Sequence, residues 1–168
     1  KYHCYSANFD DETEQLFKDA VFLGQGNNGV VYKLPDNKVI KLFCDERVWY
    51  DESYILTKTN DSRYFPKLYR KGRLYIVREM IHGIQLDKYI KKHGMNEKIA
   101  HNIYKITDEF KRLKFTKIDT ICKDLYVDED CNIRVIDPKK FYTRNISFPR
   151  HLMKGLLKNG VLEEFFYF

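Results

Sequence analysis

The sequence predicts an α+β fold with two lobes, in which an antiparallel sheet with one helix precedes a reduced, mostly helical part. Two observations predict it. Between residues 20 and 43 the apolar residues fall in three short β-branched runs separated by Gly/Asn and Pro-Asp-Asn turns, which is typical of an antiparallel meander. After Gly83 the apolar residues recur at spacings of three and four, which indicates helices. We therefore expect one domain over residues 1–168, with an N-lobe of about 1–80, a C-lobe of about 84–168 and a cleft between them.

The N-lobe is predicted to contain five strands and one main helix. Residues 11–20 are only weakly helical, whereas Val48, Ile55 and Leu56 are spaced for a helix over residues 45–59. The strands are recognised by short runs rich in β-branched and aromatic residues: Val21–Leu23, Val30–Leu34, Lys38–Phe43, Lys67–Tyr69 and Leu74–Val77.

The C-lobe is predicted to contain helices and one β hairpin. A short helix over residues 86–93 ends at Gly94, and a longer one covers about residues 96–113. The hairpin joins strands at 125–127 and 133–136, and the tail from residue 148 to 168 forms a helix and a half. The aromatic run at 165–168 either completes the small core or docks a partner, and we favour the core.

Composition limits the classes of protein. No apolar run approaches the roughly 20 residues that a membrane helix needs, and residues 1–12 lack the layout of a secretory signal. The missing initiator methionine suggests that residues precede Lys1. The chain has four cysteines without paired short spacing: Cys4, Cys44, Cys122 and Cys131. We therefore expect free thiols and a cytoplasmic location.

The net charge of +6 raises the question of nucleic acid. The basic residues are spread along the chain, and the densest clusters, at 88–93 and 111–117, are typical of solvated helix faces. This distribution argues against nucleic-acid binding. The charge is equally compatible with an acidic partner or a nucleotide.

A glycine-rich turn and a strand lysine form the first candidate site. Residues 23–32 carry the pattern Gly-x-Gly-x-x-Gly-x-Val at Gly24, Gly26, Gly29 and Val31, and glycine lets a backbone approach phosphate oxygens closely. The motif lies in a predicted hairpin, unlike the strand-to-helix turn of dinucleotide-binding folds. An Asn/Gly hairpin without a ligand is equally compatible with the motif alone.

Lys41 lies within an apolar strand, twelve residues after Gly29, and needs a charged partner there. Glu52 on the following helix is the best candidate and Glu46 the reserve. Taken alone, Lys41 is more typical of an edge-strand lysine.

Three aspartates form the second candidate site. Asp119 and Asp124 lie five residues apart in a loop, and the predicted hairpin returns Asp137 to the vicinity of Asp124. Two neighbouring carboxylates are costly unless a cation lies between them, and Mg²⁺ with nucleotide phosphates suits such a pair. Asp128, Glu129 and Asp130 belong to the hairpin turn, where we expect them to face solvent.

These motifs together resemble the eukaryotic-type protein kinase superfamily over about residues 22–137, and most closely the small single-domain kinase-like proteins of bacteria. The resemblance implies that ATP is held by the glycine loop, including Leu23 and Gln25, and by Lys41 paired with Glu52. Residues 78–83 resemble the hinge, so backbone groups of Glu79 and Ile81 would bind adenine. Asp119, Asp124 and Asp137 reproduce the family's spacing of catalytic base and two metal ligands. The implied function is an ATP- and Mg²⁺-dependent Ser/Thr protein kinase.

The chain departs from the family at several positions. Lys117-Ile118 replaces His-Arg, Asp124 replaces an asparagine, and Ile121 stands where kinases usually place a lysine, for which Lys123 is a possible substitute. Only 31 residues follow Asp137, too few for a full activation segment. Two alternatives therefore stay open: a pseudokinase that serves as a partner-binding scaffold, and a small-molecule kinase.

Overall fold

A computed structural model of the chain describes residues 9–26 and 28–168. They form an α+β protein that divides into two compact units. The sheet unit comprises the described residues up to Asp61 together with Pro66–Met80, and the helical unit comprises Ser62–Phe65 and Ile81–Phe168. Cys4, one of the cysteines expected to be free, lies outside the described residues.

The sheet unit contains two helices and five strands. Its elements are α1 (Asp11–Phe17), β1 (Val21–Gln25), β2 (Gly29–Leu34), β3 (Lys38–Phe43), α2 (Glu46–Lys58), β4 (Leu68–Gly72) and β5 (Tyr75–Glu79). The strands form an antiparallel sheet in the order β1-β2-β3-β5-β4. The predicted meander and its two following strands are confirmed.

Helix α1 covers one face of this sheet. Asp10 caps it by accepting a hydrogen bond from the Thr13 amide at 2.8 Å. Phe9, Leu16 and Phe17 pack against a buried cluster on one face of the central strands. The cluster consists of Val30, Leu34, Ile40, Leu42, Tyr75 and Val77.

Helix α2 is capped by Asp45, whose carboxylate accepts from the Arg47 amide at 2.8 Å. Ile55 and Leu56 are fully buried, and Glu52 on the same helix is buried as well. The indole of Trp49 donates to the carbonyl of Tyr75 at 3.2 Å, which ties the first turns of α2 to β5. The helix is thus fixed to the sheet by apolar packing and by a hydrogen bond.

The helical unit contains four helices and a small sheet. Its elements are β6 (Ile84–Gln85), α3 (Leu86–His93), α4 (Glu97–Arg112), a 3₁₀ turn (Cys122–Asp124), β7 (Leu125–Val127), β8 (Ile133–Val135), α5 (Arg150–Lys158) and α6 (Leu162–Tyr167). The predicted hairpin is present as β7 and β8. Strand β6 extends it to a three-stranded sheet in the order β6-β7-β8. The sequence analysis did not predict β6, because a strand of two residues has no recognisable pattern.

Four buried phenylalanines form the centre of the helical unit: Phe65, Phe110, Phe115 and Phe141. Phe115 and Phe141 stack with ring centroids 4.4 Å apart. The amides of Thr116 and Lys117 both donate to the carbonyl of Phe141, at 3.0 and 3.1 Å. The chain just before Asp119 is therefore anchored to the aromatic core.

The aromatic tail divides its residues between core and surface. Phe165 is buried and stacks on Tyr104 with centroids 4.6 Å apart. The side chains that follow it are exposed: Phe166, Tyr167 and Phe168. The tail completes the core through one of its four rings.

The cysteines correct one expectation. Cys122 and Cys131 are free thiols, as predicted. Cys44 is disulfide-bonded, so the expectation of a free thiol is wrong there. Short spacing motifs do not detect such a bridge, because tertiary structure decides which distant cysteines meet. Disulfides are rare in a reducing cytosol, so the cysteines no longer support the predicted cytoplasmic location. In the described part of the chain, no helix has the length and apolar character needed to span a membrane.

Candidate functional site

Three adjacent strands of the sheet unit align the predicted glycine-loop residues with Lys41. Gly24 on β1 lies opposite Val31 on β2, and Val31 lies opposite Lys41 on β3. Directly opposed residues on antiparallel strands point to the same face of a sheet. One row on the face of the sheet that α1 does not cover is therefore formed by Gly24, Val31 and Lys41.

Lys41 is 3% exposed, and its ammonium is paired with Glu52 on α2 at 2.8 Å. Both side chains are almost fully buried. The ammonium also lies over the ring of Phe43, 4.9 Å from its centroid. Glu46, the reserve partner, pairs instead with Arg73 at 3.5 Å, where both side chains are exposed. The structure thus pairs Lys41 with the glutamate that the sequence favoured.

The three glycines of the loop differ in why glycine is needed. At Gly29, φ is 153° and an added Cβ would lie 2.0 Å from the carbonyl oxygen of Leu42. Strand pairing therefore requires glycine there. At Gly24 and Gly26 an added Cβ would meet no atom within 4 Å. Packing within the described residues does not explain these two glycines, whereas close approach of a ligand would.

The other predicted nucleotide residues lie in varied surroundings. Leu23 is exposed and occupies an irregularity in the β1–β2 register, and Gln25 is exposed at the end of β1. The Glu79 amide donates to the carbonyl of Lys67 at 2.8 Å, and the Glu79 carbonyl accepts from the Arg78 guanidinium at 3.0 Å. Ile81 is buried in the helical unit. No observation links Glu79 or Ile81 to a ligand, and both stay predictions.

In the helical unit the structure brings Asp124 and Asp137 together. The amide of Ile136 donates to the carbonyl of Asp124 at 2.7 Å, which fixes the chain just before Asp137. Burial raises the pKa of the Asp124 carboxyl, and the charge of Asp137 raises it further, while Lys139 opposes the rise. Asp137 has φ 54°, a left-handed conformation that only a few residue types adopt readily. This carboxylate pair lies where burial makes uncompensated charge expensive.

Two lysines that the sequence analysis did not select neutralise part of this charge. The Lys139 ammonium lies 3.3 Å from Oδ2 of Asp124. The Lys117 ammonium donates to the carbonyl of Lys139 at 2.9 Å and lies over the ring of Phe141. Burial lowers the pKa of Lys117, and Lys139 lowers it further, whereas Asp119 and Asp124 raise it. Lys123, the predicted substitute for the missing lysine, is exposed.

Asp119 is fully buried, and its carboxylate caps helix α5. Oδ1 accepts from the amides of Thr120 and Leu152 at 2.9 and 3.1 Å. Oδ2 accepts from the amide of His151 at 3.0 Å and faces Nδ1 of the His151 ring at 2.7 Å. The N-cap residue of α5, Pro149, makes no side-chain cap hydrogen bond, and Asp119 from a distant loop accepts from two amides of the first turn instead. Its negative charge lies at the favourable end of the helix dipole. No spacing rule connects Asp119 with His151, and the sequence analysis missed the histidine.

The remaining acids of the hairpin form a turn. Asp128 accepts hydrogen bonds from the amides of Asp130 and Asn132, both at 2.9 Å. Glu129 and Asp130 are exposed, as expected. Among the described residues, no group of three or more His, Cys, Asp or Glu side chains is arranged to bind a metal ion. The predicted metal site uses two carboxylates only.

A scan against models of known protein families finds no match, and a search of curated proteins finds no match either. The chemistry of the site is therefore argued from its own residues.

Proposed function

We propose that this chain is an ATP- and magnesium-dependent phosphotransferase of the protein-kinase type that acts on serine or threonine hydroxyls of a protein. The observation that carries the proposal is the row of Gly24, Val31 and Lys41, with Lys41 paired to Glu52 in a buried position. A buried ion pair gives little stability over an apolar pair of similar size. Its presence beside two glycines that packing does not require favours a role in ligand binding.

The sheet unit supplies groups suited to a nucleoside triphosphate. The Lys41 ammonium carries a fixed charge for phosphate oxygens, and Glu52 limits its rotation. Around Gly24 and Gly26 the backbone has open space on the side where a Cβ would project. Val31, half-buried in the same row, offers an apolar contact for a base. The predicted contacts of Leu23, Gln25, Glu79 and Ile81 complete this proposal.

The helical unit supplies groups suited to magnesium. Asp124 and Asp137 are hard oxygen donors, and the burial that raises the pKa of Asp124 also favours a bound cation. Lys139 neutralises Asp124 only in part, because its ammonium lies at 3.3 Å and 42% of its side chain is exposed. Two carboxylates match the small number of protein ligands that Mg²⁺ takes when phosphates supply the others. Bound magnesium would neutralise phosphate charge during transfer.

Calorimetric titration of Mg-ATP tests the proposal. We expect the wild-type protein to bind Mg-ATP, and Asp137→Asn to weaken binding at least ~10-fold, about 1.4 kcal/mol. Glu129→Gln is the matched control, because Glu129 is an exposed acid of the same hairpin. Transfer of label from [γ-³²P]ATP to casein tests the protein-kinase activity. A wild-type protein that binds no Mg-ATP would refute the proposal.

A second candidate is a nucleotide-binding scaffold without transfer. The burial of Asp119 favours it, since a carboxylate with four hydrogen-bond partners does not contact an acceptor hydroxyl directly. The same titration and labelling assays separate the two candidates. A scaffold binds Mg-ATP without labelling casein, whereas a kinase does both.

A further inference from the structure

The pair of Asp119 and His151 has the geometry of a carboxylate–imidazole dyad. Both oxygens of Asp119 already accept amide hydrogen bonds, at distances of 2.9 to 3.1 Å. An ionised carboxylate in this position only accepts, so the 2.7 Å contact with His151 requires a proton on Nδ1. Asp119 therefore selects the Nδ1–H tautomer of His151 and fixes the ring orientation.

This tautomer leaves Nε2 as the basic nitrogen of the ring. Nε2 lies on the side of the imidazole away from Nδ1, and 52% of the His151 side chain is exposed while Asp119 has no exposure. Within residues 9–26 and 28–168, no hydrogen bond to Nε2 is present. The dyad thus has a buried acid that orients and an outward nitrogen that is able to accept a proton.

The ring is rigidly placed because its backbone is fixed by the same acid. The His151 amide also donates to Asp119, so backbone and side chain of one residue meet one carboxylate. Gly155, one turn further along α5, lies so close to Cys122 that an added Cβ would be 2.8 Å from Sγ. Helix α5 is therefore held against the loop that carries Asp119 at two points.

We propose that His151 is the proton acceptor of the phosphotransfer and that Asp119 is the residue that positions it. This inference rests on the proposed function. The acceptor oxygen bonds to the γ-phosphorus, the bond from that phosphorus to the β,γ-bridging oxygen breaks, and ADP leaves with the electron pair. The hydroxyl proton passes to Nε2 of His151. Asp119 stabilises the resulting imidazolium, which later returns the proton to solvent.

Replacement of Asp119 does not test this inference, because its loss also removes the cap of α5. His151→Asn is the better variant, since the Asn amide donates from about the position of Nδ1 and lacks a counterpart of Nε2. We expect kcat for casein phosphorylation to fall by ~10²–10⁴ with KM for ATP unchanged. His101→Asn, which changes an exposed histidine of α4, is the control and should leave both constants unchanged.

Nitrogen-15 NMR of the ligand-free protein supplies a second measurement that does not depend on activity. We expect Nδ1 of His151 to be protonated and Nε2 to be the unprotonated nitrogen of the neutral ring. The opposite tautomer would overturn the inference. So would a His151→Asn protein that labels casein at the wild-type rate, even though the proposed kinase activity would then stand. A wild-type protein that binds Mg-ATP but labels no acceptor would overturn both.

Discussion

The buried pair of Lys41 and Glu52 allows stability and binding to be separated. Both side chains are at most 4% exposed, and they are 2.8 Å apart. Lys41→Met leaves the Glu52 carboxylate buried without its ammonium partner, which costs about 3–5 kcal/mol. Lys41→Met combined with Glu52→Met removes both charges and replaces them with side chains of similar volume. We expect the double variant to be within about 1 kcal/mol of the wild type or more stable.

Urea unfolding followed by circular dichroism measures these free energies, and the thermal shift with Mg-ATP measures binding. Both variants should lose the Mg-ATP shift, because each lacks the Lys41 ammonium. The single variant alone should lose stability. If the double variant were as unstable as the single one, the loss would come from packing and not from an isolated buried charge. If it kept the full Mg-ATP shift, Lys41 would have no role in binding.

Three further predictions concern the helical unit. Because burial raises the pKa of Asp124, the stability that goes with its neutral form is present at low pH and is lost as the pH rises through that raised pKa. Asp124→Asn should therefore be more stable than the wild type at pH 7 in urea titrations, and the difference should vanish below the ordinary aspartate pKa of 3.8. A difference that is the same at every pH would contradict this. Gly155→Ala should destabilise the protein by about 1–3 kcal/mol, because the added methyl group would contact Cys122 Sγ, and a second substitution, Cys122→Ala, should relieve most of that loss in thermal melts. A Gly155→Ala protein that is more stable than the wild type would show that α5 is not packed so closely. Burial raises the pKa of Cys122 to about 12, so iodoacetamide at pH 8 should label Cys131 and spare Cys122 in mass spectra; rapid labelling of Cys122 would contradict its burial.

The local helices and strands of this protein follow from its amino-acid pattern. The β-branched runs and turns predicted the strands of the first sheet, and the spacing of Ile99, Ile103 and Ile106 predicted α4. These patterns are reliable because a strand or an amphipathic helix records its own periodicity in neighbouring residues. The pairing of Lys41 with Glu52 was also within reach, since one strand and the next helix are joined by a short link.

The contacts between residues far apart in the chain depend on how the folded elements pack together. The contact of Asp119 with His151 spans 32 residues, and nothing in either local sequence encodes it. The same holds for the close approach of Gly155 to Cys122 and for the β6 strand, which two residues form only because β7 is present to pair with them. Local periodicity fixes which face of an element is apolar, whereas the docking of whole elements fixes which polar side chain lies beside another, and that docking depends on packing over the entire unit.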